Sequence, residues 1–297
     1  MEAIKKIDIH AHAVAFPQYS PVYYSNGAKF PSGEDMIEIY DKLNIERGVL
    51  LPIVSPENQS TLMTNEGCMA IVDRHPDRFV WFCNIDPRMG TAYANLPYLI
   101  EHYKNHGARG FGELTIPLYA DDPALERIYA CLEEQDLPLT IHISAPGSGR
   151  YGMMDELGLP RLEGILKRHP RLKILGHSQI FWSEISADNT EKIRGGYPEG
   201  KVIPGRIVDL LRGYDNLYCD LSAGSGMNAM MRDPEFTVGF FAEFADRILY
   251  GCDICNKASV HQYTFDDFLT GLRENGGLCE ENYRKIMREN AVKLLKL

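Results

Sequence analysis

Two histidines stand two residues apart near the start of the chain, in Ile7-Asp8-Ile9-His10-Ala11-His12-Ala13. Apolar and polar residues alternate there, which is the period of a half-buried strand. Successive strand side chains point to opposite faces, so the pattern places Asp8, His10 and His12 on one face. Two imidazoles on one face of a rigid strand can both reach a single metal ion. Neutral imidazole is a common ligand for zinc and related transition metals. A His-x-His pair by itself is a weak signal. The remaining ligands must come from other parts of the chain.

The elements that position them read as strand then helix, repeated. A helix is expected over Ser32–Glu46, with Ser32 as N-cap and acids in its first turn. The continuous apolar run Gly48–Val54 suits a strand buried on both faces, as in a parallel sheet. Asn65–His75 reads as a helix stopped by Pro76. Phe79–Asn84 is the third strand, and Leu96, Leu99, Ile100 and Tyr103 mark the helix after it. Ala108–Leu114 is the fourth strand. Asp122-Pro123 starts the next helix as N-cap and first residue. Leu139–Ser144 is the fifth strand, followed by a helix over Leu159–Arg168. Leu172–His177 is the sixth. A polar insertion of about Glu184 to Lys201 follows, long for a strand-to-helix loop and a candidate lid or interface. The helix Ile203–Tyr214, the strand Leu217–Leu221 and the strand Ile248–Asp253 come next. A last helix runs from about Glu280 to Leu297.

Eight strands, each followed by helix, in a chain of 297 residues, imply an α/β protein. The architecture expected is a (β/α)8 TIM barrel forming one domain over 1–297, with an insertion after strand 6. The competing open doubly wound sheet lacks its usual dinucleotide signature, since no Gly-x-Gly-x-x-Gly follows the first strand.

Barrels of this type build their active sites at the carboxyl ends of the strands. Polar residues at those ends form one chemical set: His10 and His12 on strand 1, Glu113 on strand 4, His142 on strand 5, His177 on strand 6 and Asp253 on strand 8. All are ligand types. The other five histidines read as structural or solvated. His75 and His169 precede prolines at helix ends, His102 and His106 fall on or beside a surface helix, and His261 lies in a late connection.

Composition bounds the function. A net charge of −10 without a basic cluster argues against nucleic acid and anionic membranes as partners. No apolar run approaches the ~20 residues that span a bilayer. Seven scattered cysteines, an odd number, suit a reducing cytoplasm better than a disulfide framework. Cys252 and Cys255 have the C-x-x-C spacing without a second pair and read as packing thiols.

Taken together, Asp8-Ile9-His10-Ala11-His12, Gly112-Glu113-Leu114, Ile141-His142-Ile143, Leu175-Gly176-His177 and Gly251-Cys252-Asp253 resemble the amidohydrolase superfamily, in its amidohydrolase-related branch. Asp220-Leu221-Ser222-Ala223-Gly224 and the closing Glu289-Asn290-Ala291 resemble it too. The resemblance implies a divalent metal, zinc above all, at the mouth of the barrel. His10, His12 and Asp253 would hold the first ion. Glu113 matches a position that bridges two metals in some members, with His142 and His177 holding the second. In one-metal members the strand-5 histidine joins the first ion and the strand-6 histidine acts from behind it. One or two ions per chain are thus expected, and the glutamate at strand 4 favours two.

The expected reaction is hydrolysis of an amide, ester or lactone in a small molecule by a metal-activated water. Asp253 would act as general base then acid, and His177 would stabilise the oxyanion. The alternative is a metal-dependent non-oxidative decarboxylase, since the branch contains both. Trp182, with Phe181, is a candidate pocket wall, and Ser144 and Ser222 are candidate hydrogen-bond donors to substrate. Arg150 and Arg194 lie in loops on the active face, either binding a carboxylate or solvated. Family analogy and loop length make the insertion a candidate dimer interface.

Overall fold

The computed structural model describes residues 4–20, 22, 27–58, 62–90, 95–257 and 261–297. Eight parallel strands run in sequential order. They are β1 (Lys6–Ala11), β2 (Ile45–Leu50), β3 (Phe79–Cys83), β4 (Ala108–Leu114), β5 (Leu139–Ser144), β6 (Ile174–His177), β7 (Leu217–Asp220) and β8 (Ile248–Leu249). A two-residue strand, Met153–Met154, pairs with the end of β5. The ring closes between β8 and β1 through two backbone bonds. Ile9 N donates to Tyr250 O at 3.0 Å, and Asp253 N donates to His10 O at 2.9 Å. The fold is a (β/α)8 barrel.

Local chemistry explains the helices. α1 (Gly33–Leu43) opens with a capping box. Ser32 Oγ accepts from Asp35 N at 3.2 Å, and the Asp35 carboxylate accepts from Ser32 N at 3.0 Å. Asn44, with φ 54°, ends α1 in the left-handed region, so β2 begins at Ile45 rather than Gly48. α2 (Asn65–Arg74) and α3 (Leu96–Asn105) cover the next two strands. α4 (Pro123–Gln135) starts from Asp122, whose side chain accepts from Ala124 N. α5 (Pro160–Arg168) precedes β6, and the short α6 (Gln179–Ser183) follows it. α7 (Arg206–Gly213) leads to β7, and α8 (Ala223–Met231) and α9 (Pro234–Phe244) lead to β8. α10 (His261–Glu274) and α11 (Glu280–Arg284) come last. A π-helical turn over Lys285–Glu289 then joins α11 to α12 (Asn290–Leu295), so the single closing helix expected is interrupted.

The core has two parts. The larger lies between strands and helices. The smaller brings Ile7, Ile9, Val49, Leu51, Phe82, Leu175 and Leu249 together, which strands on opposite sides can do only inside the ring. Ala291, Leu294 and Leu295 of α12 join that cluster. Phe181 shows how tightly the layers fit: a Cβ added at Gly176 would stand 2.1 Å from its ring. No helix among the described residues is long and apolar enough to cross a membrane.

The insertion is an excursion pinched at its base. Ser186 and Pro204 form an antiparallel bridge, and Ala187 N donates to Ile203 O at 2.7 Å. Arg194 anchors it from below. This side chain is 1 % exposed, so its expected reading as a solvated charge is corrected. Its guanidinium donates to the carbonyls of Asp155 and Glu156 and faces Glu191 at 3.1 Å and Glu184 at 3.6 Å. A cation is buried only where such partners replace water.

Candidate metal centre

The strand ends bring His10, His12, Glu113, His142, His177 and Asp253 into one buried cluster. His10 Nε2 lies 3.1 Å from His12 Nε2. Asp253 Oδ1 stands 3.9 Å from His10 Nε2 and 3.6 Å from His12 Nε2. Glu113 Oε2 stands 3.7 Å and 3.5 Å from the same two nitrogens. On its other side Glu113 Oε1 accepts from His142 Nδ1 at 2.6 Å and lies 3.9 Å from His177 Nε2. His177 Nε2 is 3.7 Å from Asp253 Oδ2. Three triads of donor atoms therefore share the cluster among the described residues: His10, His12 and Asp253; Glu113, His142 and His177; and His10, His177 and Asp220.

Asp253 reaches the cluster from a loop four residues past the end of β8, with φ 51°. The left-handed region is unusual for a residue with a side chain, though Asp tolerates it better than most. The backbone bond from Asp253 N to His10 O holds it there.

Asp8 does not join the histidines, which corrects the single-face expectation. Pairing of β1 with β2 shifts register between Asp8 and Ala11. The Asp8 carboxylate turns to the Tyr40 hydroxyl of α1 at 2.7 Å and accepts from the backbone N–H of His10 and Cys252. Burial, partly offset by those bonds, raises its pKa to about 6. Cys252 is buried, and Cys255 Sγ lies 3.3 Å from Asp253 Oδ1; neither thiol is disulfide-bonded.

Three residues with no metal role in the sequence reading orient the ligands. Asp220, at the end of β7, accepts from His10 Nδ1 at 2.6 Å. The carbonyl of Leu51 accepts from His12 Nδ1 at 2.9 Å. Ser222 Oγ lies 3.0 Å from His177 Nδ1. The strand-end rule that selects Glu113 and His142 also selects Asp220, and that was the available signal. Ser222 was expected to meet substrate; it meets His177.

These bonds test whether a cation fits. A carbonyl oxygen only accepts, so His12 Nδ1 carries its proton and Nε2 presents a lone pair. Burial alone would raise Asp220, but His10 outweighs it and holds the carboxyl below its usual range, so Asp220 accepts as well. His10 Nε2 then faces His12 Nε2 at 3.1 Å with nothing but lone pairs between them unless a cation or a proton intervenes. Burial opposes charge on His10, yet Asp220, Asp253 and Glu113 overcome it and hold its pKa well above the imidazole range. Glu113 is held well below the usual carboxylate range: burial opposes this, and His142 and His10 outweigh it. Buried carboxylates around convergent imidazoles demand positive charge, and a divalent metal at these donors would supply it.

The sequence matches the amidohydrolase family over residues 7–297. The chain belongs to that family. No curated protein matches the sequence. Among solved structures, this chain resembles an uncharacterised TIM-barrel protein from Bordetella bronchiseptica, with TM-score 0.66, 18% identity and 99% of both chains covered. A dihydroxybenzoic acid decarboxylase from Polaromonas, with bound manganese and the inhibitor 2-nitroresorcinol, gives TM-score 0.59 at 19% identity, covering 99% of this chain and 98% of that one. A probable 2-pyrone-4,6-dicarboxylic acid hydrolase from Acinetobacter baumannii gives 0.60 at 14%, covering 99% of this chain and 100% of that one. These likenesses establish the fold.

A cavity of about 980 Å3 opens on His142, lined by Ser144, Tyr151, Gln179 and Ile180 and by the insertion from Glu191 to Pro198. Trp182 does not line it. The indole is buried and donates to the Asp220 carbonyl at 3.0 Å, bracing β7 from behind. Phe181 is likewise buried. Ser144 lines the cavity while its hydroxyl donates to Gly152 O at 2.9 Å. Of the remaining histidines, His261 opens α10 close enough for the charge of Asp253 to act on its ring, though burial dominates and lowers its pKa. His75 and His169 pair with glutamates, and the His102 and His106 rings lie against each other at a tilt of 40°.

The Asp220 contact yields a prediction. Asp220→Asn leaves the volume unchanged but removes the charge that holds the His10 tautomer. Metal affinity is expected to fall by about 10–100-fold, read by competition with a chromogenic chelator, with the circular dichroism spectrum preserved. An unchanged affinity would remove Asp220 from the site.

Proposed function

We propose that this protein is a metal-dependent, non-oxidative decarboxylase of a small carboxylic acid, with hydrolysis of an amide, ester or lactone as the second reading. The observation that carries an enzymatic role is the facing pair of His10 and His12 Nε2 atoms, 3.1 Å apart among buried carboxylates and beside a substrate-sized cavity. The decarboxylase from Polaromonas, with its bound manganese, supports the reaction class. The probable hydrolase of the same fold keeps the second reading.

His10, His12 and Asp253 would hold the ion, and Glu113, His142 and His177 offer a second set of donors. Bound there, a divalent cation such as zinc or manganese would supply fixed positive charge to orient a substrate oxygen and stabilise charge developing on it. The protein's own groups move the proton. Asp253 is held below its usual range: burial opposes this, and His10, His12 and His177 outweigh it. It is therefore a base at neutral pH. In decarboxylation the carbon–carboxylate bond breaks and carbon dioxide leaves. The electron pair left on carbon takes one proton from Asp253, which solvent has recharged. In hydrolysis the same carboxylate takes a proton from the attacking water and passes it to the leaving group. Burial and neighbouring His10 lower the His177 pKa to about 4, so its ring is neutral at pH 7. Ser222 can donate to its Nδ1 or accept from it, so Nε2 can present either a proton or a lone pair.

The test is a panel of hydroxybenzoates and other small acids, incubated with zinc- or manganese-loaded protein in deuterated water. Trapped carbon dioxide, with deuterium on the carbon that lost it, is the expected result. Metal-dependent cleavage of lactones or amides without carbon dioxide would move the assignment to hydrolysis.

A further inference from the structure

The cavity on His142 has a charge pattern at odds with the chain, whose net charge is −10. The acids that line it are engaged. Glu57 pairs with both terminal nitrogens of Arg88, at 2.6 and 2.7 Å, and Glu191 pairs with Arg194. The cations are not matched in the same way. Arg150 and Lys192 both line the cavity, and neither has a carboxylate partner among the described residues. Arg150 is nonetheless held in place. Its Nη1 donates to Gly195 O at 3.1 Å on the insertion, and its backbone N donates to Ser148 Oγ at 3.3 Å. Arg194, also lining the cavity, is buried, and its Nε has no hydrogen-bond partner among the described residues.

The placement of these cations matters as much as their number. Tyr151, next to Arg150 in sequence, lies against His142 with ring centroids 4.7 Å apart. His142 in turn bonds Glu113 within the donor cluster. Arg150 and Lys192 reach the cavity from the loop after β5 and from the insertion, whereas His142 is the one residue of the donor cluster that lines it. These cations are set to hold a part of the substrate that does not react.

We propose that the cavity takes a dicarboxylate: one carboxyl group lies at the His142–Glu113 end, and the second is held by Arg150 with Lys192. A guanidinium fixed by a carbonyl bond is already oriented for a carboxylate, which it meets through two parallel N–H donors. The substrate class follows from this: a planar or short-chain acid with a second carboxylate remote from the reacting one. The inference rests on the reading of the His142 end as the reacting end of an enzyme.

The test uses isophthalate and terephthalate, with the monoacid benzoate as reference, titrated calorimetrically into zinc-loaded and chelator-treated protein. At least one diacid is expected to bind about tenfold or more tightly than benzoate. The difference should shrink in high salt, because the cations are exposed. In the double variant Arg150→Met/Lys192→Met the diacid should fall to within about twofold of benzoate, with benzoate itself unchanged. Equal binding of diacids and benzoate, no binding of either diacid, or an undiminished difference in the variant would overturn the proposal. The two readings fail separately. A diacid preference that survives metal removal, in a protein that releases no carbon dioxide from any acid, sinks the decarboxylase reading alone. Carbon dioxide release from a diacid with the same kcat/KM in wild type and double variant sinks the dicarboxylate inference alone.

Discussion

Asp253→Asn is expected to lower kcat/KM by about 10³-fold or more at saturating metal, because an amide can neither accept nor deliver the proton that both reaction schemes route through this carboxylate. The substitution is a clean one. Asp253 sits at φ 51°, a region that Asn tolerates at least as well as Asp, so the backbone has no reason to move. The volume is the same, and the bond from Asp253 N to His10 O does not involve the side chain. Loss of the carboxylate also removes one of the charges that face His10 and His12, so metal content must be measured beside the rate by mass spectrometry. A variant that keeps its metal and loses its rate identifies proton transfer as the missing step. A variant that keeps its metal and its rate to within about threefold takes Asp253 out of that step in either scheme.

Gly112→Ala is expected to destabilise the fold by about 3 kcal/mol or more and to disable the site with it. Gly112 has φ 122°, outside the range of residues with a side chain, and a Cβ there would lie 2.4 Å from the carbonyl oxygen of Thr140. That oxygen belongs to β5, the neighbouring strand, and cannot rotate away as a flexible side chain would. The strands must separate at the point where β4 delivers Glu113 and β5 delivers His142. Their 2.6 Å bond is the contact expected to fail first. Urea denaturation followed by circular dichroism reads the stability, and chelator competition reads the site. A denaturation midpoint unchanged from wild type would refute the steric argument.

Much of the architecture is legible in the amino-acid sequence. Ser32 and Asp122-Pro123 mark helix starts because a cap acts on the N–H groups two or three residues ahead. Apolar runs such as Gly48–Val54 mark buried strands because burial on both faces leaves no polar alternation. Once eight strands are counted, the rule that barrel sites form at their carboxyl ends gathers His10, His12, Glu113, His142, His177 and Asp253 without further help. The same rule stops short at roles. It treats Asp220 as one more polar strand end, and it assumes that β1 keeps an unbroken alternation. A register shift in pairing with β2 is set by the partner strand, and it sends Asp8 to Tyr40 instead of to the metal cluster. Arg194 and Trp182 read as surface or pocket residues because nothing near them in sequence announces burial. Their partners, the Asp155 and Glu156 carbonyls and the Asp220 carbonyl, lie 39, 38 and 38 residues away.

By itself, then, the sequence determined the periods, the caps and the chemical types at the strand ends, all of which depend on residues within a turn or a strand of one another. Tertiary structure alone decided which nitrogen of each imidazole faces inward. His10 is set by Asp220, 210 residues away, and His12 by the carbonyl of Leu51, 39 residues away. An imidazole has two nearly equivalent nitrogens, and the choice between them belongs to whichever acceptor the closed ring brings to the other side. That closure aims the inner nitrogens of two histidines on a strand at one point.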